Sequence, residues 1–253
     1  MTDQARHPQI VFDTIDSTNE EARRRVLAGD RQDIWLAARL QEQGRGRQGR
    51  VWQSPSGNLF ATRLHCLDAT PAEAARLSFV TALAVADTIS ALAPGIPVTL
   101  KWPNDVLLAE KKVCGILLDN FGPDGTGTLA LGIGIGINLA HHPDPSQSNW
   151  PPTSIAAETG VAPSFDDALS LLSANLDERL CADRPFTETR KEWLTRASHL
   201  GQEIQVRLPK ETITGRFADL DEEGVLILEG GDGPRRIAAG DVHFPGGTDA
   251  ARH

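Results

Sequence analysis

The sequence is poor in the residue types that define several classes of protein. Its 253 residues include only three cysteines (Cys66, Cys114 and Cys181), one methionine and no tyrosine. Because the cysteines are odd in number, far apart and without a CxxC pair, they exclude a disulfide framework and a cysteine-rich zinc site, and they suit a reducing compartment. Basic residues are outnumbered, 25 against 34 acidic ones, which gives a net charge of -9. This balance argues against a protein that coats nucleic acid or an anionic membrane.

Long apolar segments are also scarce. The longest apolar run, residues 129–140, is rich in glycine and too short for a bilayer, which needs about 20 apolar residues. The first eight residues are polar and lack the apolar stretch of a signal peptide. Since 40% of the residues are apolar and 23% are charged, the composition is that of an ordinary folded chain. We therefore expect a cytoplasmic protein that does not enter a membrane.

Two capping boxes predict the beginnings of helices. The sequence Ser-Thr-Asn-Glu at residues 17–20 predicts a helix that is capped by Ser17, runs to about Ala28 and stops at Gly29. The sequence Thr-Pro-Ala-Glu at residues 70–73 predicts a second helix, which must end before Pro94. Apolar periodicity predicts two more helices, near residues 165–180 and 187–197.

Short apolar runs between these helices predict strands. They span residues 34–38, 58–64, 98–102, 105–108, 113–119 and 128–139. Several successive runs are joined by turns of a few residues, whereas a parallel crossover needs about a dozen residues or more. Neighbouring strands must therefore pair antiparallel, and we predict an α+β fold, with a largely antiparallel, mixed sheet covered by helices.

The sequence pattern changes after about residue 200. Short alternating runs at residues 203–208, 212–220, 224–229 and 235–238 are separated by glycines, which is typical of a small all-β barrel. We therefore predict two domains, residues 1–200 and residues 201–246, followed by a disordered tail at residues 247–253.

The most informative segment is residues 41–52, Gln-Glu-Gln-Gly-Arg-Gly-Arg-Gln-Gly-Arg-Val-Trp, in which three glycines and three arginines fall within seven residues. Glycines let successive N–H groups point into one concavity, and arginine forks match phosphate and carboxylate oxygens. The segment therefore predicts a loop that binds a polyanion. Gly44, Gly46 and Gly49 also match the dinucleotide motif G-x-G-x-x-G, but a loop and a strand follow them instead of the helix which that motif requires.

Five segments follow one another in the order of a known family. They are residues 16–19 (Asp-Ser-Thr-Asn), the segment that begins at Gln41, residues 101–105 (Lys-Trp-Pro-Asn-Asp), residues 112–117 (Lys-Val-Cys-Gly-Ile-Leu) and residues 134–138 (Gly-Ile-Gly-Ile-Asn). Together they resemble the signature of the biotin–protein ligases, or biotin–[acetyl-CoA-carboxylase] ligases, over roughly residues 10–139. The C-terminal part is similar to the SH3-like domain of this family in size and pattern only.

The resemblance implies a class II synthetase-like catalytic domain and a two-step, ATP-dependent ligase. Biotin and ATP would first give biotinoyl-5'-AMP and pyrophosphate, and a lysine of a biotin carboxyl carrier protein would then take the biotinoyl group and release AMP. The first step brings a carboxylate against a phosphate, so cations and preorganised donors should lower its barrier. The implied ligands are biotin as a substrate, ATP and Mg2+, with no residue assigned to the metal.

The resemblance also implies three groups of site residues. The catalytic group is Arg45 and Lys112, which would hold the biotin carboxylate and the α-phosphate, and Asp105, which would orient the carrier lysine or accept its proton. The biotin-binding group is Ser17, Thr18, Asn19, Gln41, Gly44, Arg45, Lys112, Gly115, Gly134 and Gly136. The group that binds ATP or the adenylate is Arg47, Arg50, Trp52, Lys101, Asn104 and Asn138.

Several of these residues also have an ordinary structural interpretation. Ser17 is the natural helix cap with Glu20 as its box partner, and Trp52 could be a core tryptophan. Lys112 could be a solvated turn residue, and Asp105 could form an Asx turn after a proline. Gly134 and Gly136 would keep side chains away from a flat bicyclic ligand, or they would serve a tightly packed sheet.

The resemblance implies a biotin carboxyl carrier domain of acetyl-CoA carboxylase or a related carboxylase as partner, and a homodimer as a possible assembly. Only 16 residues precede Ser17, too few for a helix-turn-helix domain, so we expect a monofunctional ligase without DNA binding. A lipoate–protein ligase or octanoyltransferase is the alternative within the same fold type. A non-catalytic binding module is a further alternative, against which the presence of Arg45, Arg47 and Lys112 counts.

We also expect the loop at residues 44–50 to be disordered until a ligand orders it.

Overall fold

The computed structural model describes residues 7–147, 150–182, 184–208, 210–231, 233–238 and 240–243. Strands and helices follow one another in mixed order along this part of the chain. The strands are β1 (Gln9–Phe12), β2 (Ile34–Ala38), β3 (Leu59–Leu67), β4 (Val98–Lys101), β5 (Asp105–Leu108), β6 (Lys111–Pro123), β7 (Leu129–Ile137), β8 (Glu203–Arg207), β9 (Thr212–Leu220), β10 (Leu226–Gly230), β11 (Gly233–Ile237) and β12 (Asp241–His243). The helices are α1 (Thr18–Leu27), α2 (Pro71–Leu92), α3 (Ile155–Thr159), α4 (Phe165–Cys181) and α5 (Phe186–Thr195).

Seven strands form the first sheet, in the order β1-β2-β3-β7-β6-β5-β4. Strand β1 runs parallel to β2, and the other neighbouring pairs in this sheet are antiparallel. The predicted α+β fold with a largely antiparallel, mixed sheet is therefore confirmed. Strand β1 was not predicted, and none of its four residues is buried.

Helices cover the first sheet on both faces, and the period of two along each strand decides which residue meets which helix. In β2, Trp35 and Ala37 belong to the large core that contains residues of α2, α4 and α5. Ile34 and Leu36 point to the opposite face, where they pack with α1. All five residues of β2 are buried, which is why this strand reads as a continuous apolar run.

Strand β7 alternates in the same way between isoleucine and glycine. Ile133, Ile135 and Ile137 are buried in the large core. The glycines at 132, 134 and 136 lie on the face of α1, where a Cβ at Gly134 would meet the side chain of Asn19. The glycine-rich character of residues 129–140 thus has a structural cause, because one face of the strand is packed and the other is kept free of Cβ atoms.

Helix α2 begins with the predicted capping box and is the long apolar element of the protein. Glu73 N donates to Thr70 Oγ1 at 3.3 Å, and Thr70 N donates to Glu73 Oε2 at 2.8 Å. By length and composition this helix could cross a membrane, a property that the sequence analysis missed because polar residues interrupt its apolar runs. Its residues 82–86 are all buried in the large core, and a core helix of a globular domain meets the same criteria.

Helix α1 begins where it was predicted, but its capping box is wrong. Ser17 occupies the N-cap position with extended backbone, and its side chain makes no cap hydrogen bond. Its supposed partner Glu20 instead forms an ion pair with Arg45 of the arginine-rich loop. The capping box does not form because Glu20 pairs with Arg45, which lies 25 residues further along the chain.

Five strands form the second sheet, in the antiparallel order β11-β10-β9-β8-β12. The small all-β unit that was predicted is present, and in the part of the chain that is described it is an open sheet, because β11 and β12 are the two edges and do not pair with each other. The strand β12, which was not predicted, pairs only with β8 and is three residues long. The tail predicted at residues 247–253 lies outside the described residues.

The second sheet contacts helix α5 and the residue that follows β4. Trp102 Nε1 donates to the carbonyl oxygen of Gly224 at 3.2 Å. Arg190 of α5 donates through Nε to the carbonyl oxygen of Leu220 at 2.6 Å and pairs with Asp219 at 2.5 Å. These contacts bring β12 to the edge of the cavity described next.

Candidate active site

A cavity of about 670 Å³ opens on the α1 face of the first sheet. Strands β6 and β7, the start of α1, the arginine-rich loop and β12 all contribute to its wall. The predicted site residues that line it are Ser17, Thr18, Asn19, Gln41, Arg45, Arg47, Arg50, Trp52, Lys101, Asn104, Asp105, Lys112, Gly115, Gly134, Gly136 and Asn138. Gly44 lies behind the wall. Residues from five separate sequence segments are thus brought together in one place.

The glycines of the cavity floor make room for protein side chains. A Cβ at Gly136 would lie 2.6 Å from the Trp52 indole, and a Cβ at Gly115 would lie 2.8 Å from it. A Cβ at Gly134 would lie 2.3 Å from Asn19 Oδ1. Gly134 and Gly136 thus admit the side chains of Asn19 and Trp52, and their role towards a ligand stays a prediction. Trp52 Nε1 is buried there without a hydrogen-bond partner.

One end of the cavity is built from uncharged hydrogen-bonding groups. Thr18 donates to Gln41 Oε1 from its backbone N–H at 2.8 Å and from its hydroxyl at 3.1 Å. Thr62 Oγ1, fully buried behind them, lies 2.8 Å from Thr18 Oγ1 and 2.5 Å from Asn19 Oδ1. Asn19 Nδ2 in turn donates to Asp119 at 2.8 Å. These bonds fix the side chains that face the cavity at this end.

The opposite wall holds one carboxylate between two ammonium groups. Asp105 is paired with Lys112 at 2.6 Å and with Lys101 at 3.2 Å. Burial opposes the ionisation of Asp105, but the charges of Lys112 and Lys101 outweigh it, and the pKa of this carboxyl falls from 3.8 to about 2. Burial likewise lowers the pKa of Lys101, and the neighbouring Asp105 opposes that shift. The carboxylate is a weak base that holds the two lysines in position.

The arginine-rich loop is folded over the cavity by protein partners. Arg45 is paired with Glu20, and Arg50 with Asp241 of β12. Arg47 Nη1 donates to Asn104 Oδ1 at 3.1 Å, and a single 3-10 turn spans Arg47–Gly49. Acidic side chains thus face two of these arginines and reduce the repulsion between the like charges of the loop. The dependence of loop order on a ligand stays a prediction.

Two lining segments were missed by the sequence analysis. Trp150 lies in the irregular segment between β7 and α3, and its ring centroid is 5.0 Å from Lys101 Nζ. The second segment is β12, whose Asp241 pairs with Arg50. An isolated tryptophan followed by two prolines was the only signal for the first, and nothing local pointed to the second. Asn138, which also lines the cavity, has its Oδ1 buried without a partner, while its Nδ2 donates to Thr153 O at 2.9 Å.

The cavity wall carries five cationic side chains against two carboxylates, in a protein whose overall charge is negative. The cations are Arg45, Arg47, Arg50, Lys101 and Lys112, and the carboxylates are Asp105 and Asp241. This excess is suited to two anions held side by side, while the uncharged end suits a neutral polar ring. Within the described residues, no group of three or more His, Cys, Asp or Glu side chains could hold a metal ion.

Comparison with known proteins agrees with this geometry. Residues 11–138 match the model of the biotin/lipoate A/B protein ligase family, and residues 199–244 match that of the biotin protein ligase C terminal domain. The chain is 40% identical to a biotin–[acetyl-CoA-carboxylase] ligase of Paracoccus denitrificans over 242 residues, which cover 91% of this chain and 98% of that protein. It is 28% identical to the bifunctional ligase/repressor BirA of Bacillus subtilis, over 93% of this chain and 73% of that protein.

Among solved structures, the biotin protein ligase from Aquifex aeolicus in complex with biotin and ATP is similar in fold. Its TM-score is 0.75 at 27% identity, and the match covers 93% of this chain and 97% of that chain. The two sheets and the motifs on the cavity wall fall within the segments that match. The chain therefore belongs to the biotin protein ligase family.

Proposed function

We propose that this chain joins biotin to ATP, forming biotinoyl-5'-AMP and pyrophosphate, and then transfers the biotinoyl group to a lysine of a biotin carboxyl carrier domain. The observation that carries the proposal is the single cavity with a cationic wall and an uncharged, hydrogen-bonding end. The name of the Paracoccus relative, a biotin–[acetyl-CoA-carboxylase] ligase, supports a carboxylase carrier domain as the acceptor.

The first step needs two anions at bonding distance. Arg45 and Lys112 both line the cavity and would neutralise the biotin carboxylate and the α-phosphate of ATP. Arg47 and Arg50 would take the remaining phosphate oxygens. Lys112 is already held by Asp105 at 2.6 Å and Arg47 by Asn104 at 3.1 Å, so little reorganisation is needed when charge develops. The carboxylate oxygen then attacks the α-phosphorus, and pyrophosphate leaves.

The two tryptophans of the cavity support a binding site for the adenylate. Trp52 lies over the glycine floor with its ring centroid 5.3 Å from Lys112 Nζ. The ring centroid of Trp150 lies 5.0 Å from Lys101 Nζ. Aromatic faces of this kind stack on a purine base. The unpaired Oδ1 of Asn138 offers a hydrogen-bond acceptor to the amino group of adenine.

The second step brings the amine of the carrier lysine to the adenylate. Asp105 was expected to orient this amine or to accept its proton. Because its pKa is about 2 and two lysines already pair with it, we assign it the positioning of Lys101 and Lys112 and not the role of base. The amine then attacks the carbonyl carbon of the mixed anhydride, the acyl–phosphate bond breaks, and AMP leaves.

Magnesium is implied by the family and by the use of ATP. The described residues hold no cluster of carboxylates or histidines for the ion. Mg2+ prefers substrate phosphates and water when a protein offers few oxygen ligands, so it would arrive as the counter-ion of ATP. We assign no protein ligand to it.

A lipoate or octanoate ligase is the second candidate, because the matched family model includes lipoate ligases. A dithiolane ring or an alkyl chain would leave the remaining lone pair of Thr18 Oγ1 and the second N–H of Gln41 Nε2 without partners at the uncharged end. An unpaired buried polar group costs about 1–3 kcal/mol, so this end favours a ligand with a urea group.

Further expectations complete the proposal. We propose residues 1–200 as the catalytic domain and residues 201–246 as the C-terminal domain, which the two separate sheets support. A homodimer and a cytoplasmic location stay predictions. We also propose a monofunctional ligase, because the chain is acidic; a salt-sensitive, sequence-selective gel shift would contradict that.

The direct test is biotin-dependent exchange of pyrophosphate into ATP, with lipoate and octanoate as alternative acids. We expect exchange with biotin alone, and labelling of a carrier domain whose acceptor lysine is intact but not of its Lys-to-Arg variant. Exchange that is faster with lipoate than with biotin would assign the second candidate function instead.

A further inference from the structure

The side-chain amide of Gln41 has a fixed orientation, set by groups at both of its ends. Its Oε1 accepts from the backbone N–H of Thr18 at 2.8 Å, and its Nε2 donates to Ser54 Oγ at 3.1 Å. Ser54 donates its own proton to the backbone carbonyl of Trp52 at 3.0 Å. A hydroxyl has one proton and a carbonyl only accepts, so Ser54 can offer Gln41 nothing except an acceptor. An inverted amide would place two donors together at Thr18 and two acceptors together at Ser54.

The Thr18 hydroxyl is oriented in the same manner. It lies 3.1 Å from Gln41 Oε1 and 2.8 Å from Thr62 Oγ1, so its proton is used within the protein. A lone pair of Thr18 and the second N–H of Gln41 remain for the cavity that both residues line. One acceptor beside one donor is the complement of a cyclic urea, whose N–H donates and whose carbonyl accepts.

Ser54 is held in a tight position outside the cavity wall. Its exposure is 7%, and its backbone carbonyl also accepts from Gln41 N at 3.3 Å. A Cβ at Gly44 would lie 2.3 Å from Ser54 Oγ and 2.5 Å from the Trp52 carbonyl oxygen. Gly44 is therefore needed for this packing, which explains how a residue behind the wall belongs to the site.

We propose that Ser54 is a positioning residue that determines specificity for the ring of biotin, an inference that rests on the proposed function. Its hydroxyl donates to the Trp52 carbonyl oxygen and therefore accepts from the Gln41 amide, which sets the orientation of that amide. Without this hydroxyl, Gln41 Nε2 loses its acceptor and the amide is held at one end only.

The test compares Ser54→Ala, Ser54→Thr and Ser54→Val in biotin-dependent pyrophosphate exchange. The threonine and valine variants add the same bulk and differ only in the hydroxyl, so they are a matched pair. Each is assayed with biotin and with 2-iminobiotin, in which an imino group that donates replaces the ring carbonyl. Thermal melting of each variant and calorimetric titration with biotin in the absence of ATP accompany the kinetics.

We expect Ser54→Ala to raise the KM for biotin about tenfold, the effect of one unsatisfied buried donor. The KM for ATP should stay within about twofold of the wild-type value. The preference for biotin over 2-iminobiotin should fall about threefold or more. Ser54→Thr should retain the preference better than Ser54→Val.

An unchanged KM for biotin in Ser54→Ala, or equal losses with both ring analogues, would overturn the inference. So would parallel increases in the KM for biotin and for ATP with a lower melting temperature, which indicate a purely structural role. If threonine is too large for the site, Ser54→Ala and its calorimetric titration still decide. A wild-type protein without biotin-dependent exchange would refute the proposed function instead, so the two failures are distinguishable.

Discussion

Glu20 of α1 and Arg45 of the arginine-rich loop form an ion pair at the cavity, so the guanidinium proposed to hold a substrate carboxylate already holds a carboxylate of the protein. Arg50 is engaged by Asp241 of β12 in the same way. Two arginines of the loop are thus paired with Glu20 and Asp241 from other elements of the protein. A ligand with a carboxylate and phosphates must replace these two carboxylates. The exchange is between like partners, which limits its cost.

Replacing Glu20 tests this exchange. Glu20→Gln removes the competing charge, and we expect the Kd for biotin, measured by calorimetry, to fall by about two- to fivefold, since a partly exposed ion pair contributes about 0–1 kcal/mol. Glu21→Gln on the same helix is the control, because Glu21 pairs with Arg24 and Arg25 at 3.0 Å and does not reach the loop. Weaker binding of biotin by Glu20→Gln would show that Glu20 assists the ligand instead.

The glycine floor provides a second prediction. Gly136→Ala would place a Cβ 2.6 Å from the Trp52 indole, so the indole must shift. We expect a cost in unfolding free energy of about 1–3 kcal/mol and a clear rise in the KM for biotin and ATP. Gly132→Ala in the same strand would meet Phe121 at 2.7 Å, outside the cavity. This control should lose similar stability and keep both KM values; equal KM values in the two variants would contradict the role of the floor.

The acid limb of the stability curve tests Asp105. Its pKa is lowered from 3.8 to about 2 in the folded protein, so it contributes stability above pH 3.8 that is lost as the pH falls towards 2. One pKa unit corresponds to about 1.4 kcal/mol, so this contribution is about 2 kcal/mol. Asp105→Asn should be less stable at pH 7 and lose less on acidification.

Urea unfolding at pH 7 and pH 3 measures this difference. Asp13→Asn, whose side chain is fully exposed, is the control and should follow the wild type. The account of Asp105 is wrong if its variant shows the same pH dependence as the wild type, since that would mean that the two lysines do not depress its pKa.

Hydrogen exchange tests the prediction that a ligand orders the loop at residues 44–50. We expect its amides to exchange rapidly in the free protein and to become protected when biotin and ATP are added together. Amides of β7, the paired central strand beneath the loop, should exchange slowly in both states. Slow exchange across the loop before any ligand is added would contradict the prediction and show that the ion pairs to Glu20 and Asp241 suffice to order it.

The sequence predicted the parts of this molecule that depend on neighbouring residues. The box of Thr70 and Glu73 and the apolar run of β2 lie within one element each, and they were confirmed. The Ser17 box failed because Glu20 is drawn to Arg45, a partner that only the folded chain supplies. The open edge between β11 and β12 likewise depends on pairing that alternation alone does not determine.

The motifs predicted most of the residues that line the cavity, and the catalytic roles of these residues stay predictions. The motifs lie on one cavity because the sheet brings β6, β7 and the loop together. Trp150 and Asp241 stand in segments without a motif, so their place on the wall appears only in three dimensions. Ser54 could be recognised only through its hydrogen bonds, since an isolated serine carries no pattern.

In the proposed reaction, Arg45 and Lys112 together allow two anions to react in this cavity. The most direct test of this role is the single-turnover rate of biotinoyl-5'-AMP formation in Arg45→Ala and Lys112→Ala, with Arg39→Ala, which pairs with Asp166 away from the cavity, as control. We expect a fall of about 10²- to 10³-fold in both site variants, the usual cost of losing one group that stabilises developing charge. The melting temperature of Arg45→Ala should stay near that of the wild type, whereas that of Lys112→Ala should fall, because the buried Asp105 loses one of its two partners. Adenylate formation at the wild-type rate in both variants would contradict this role.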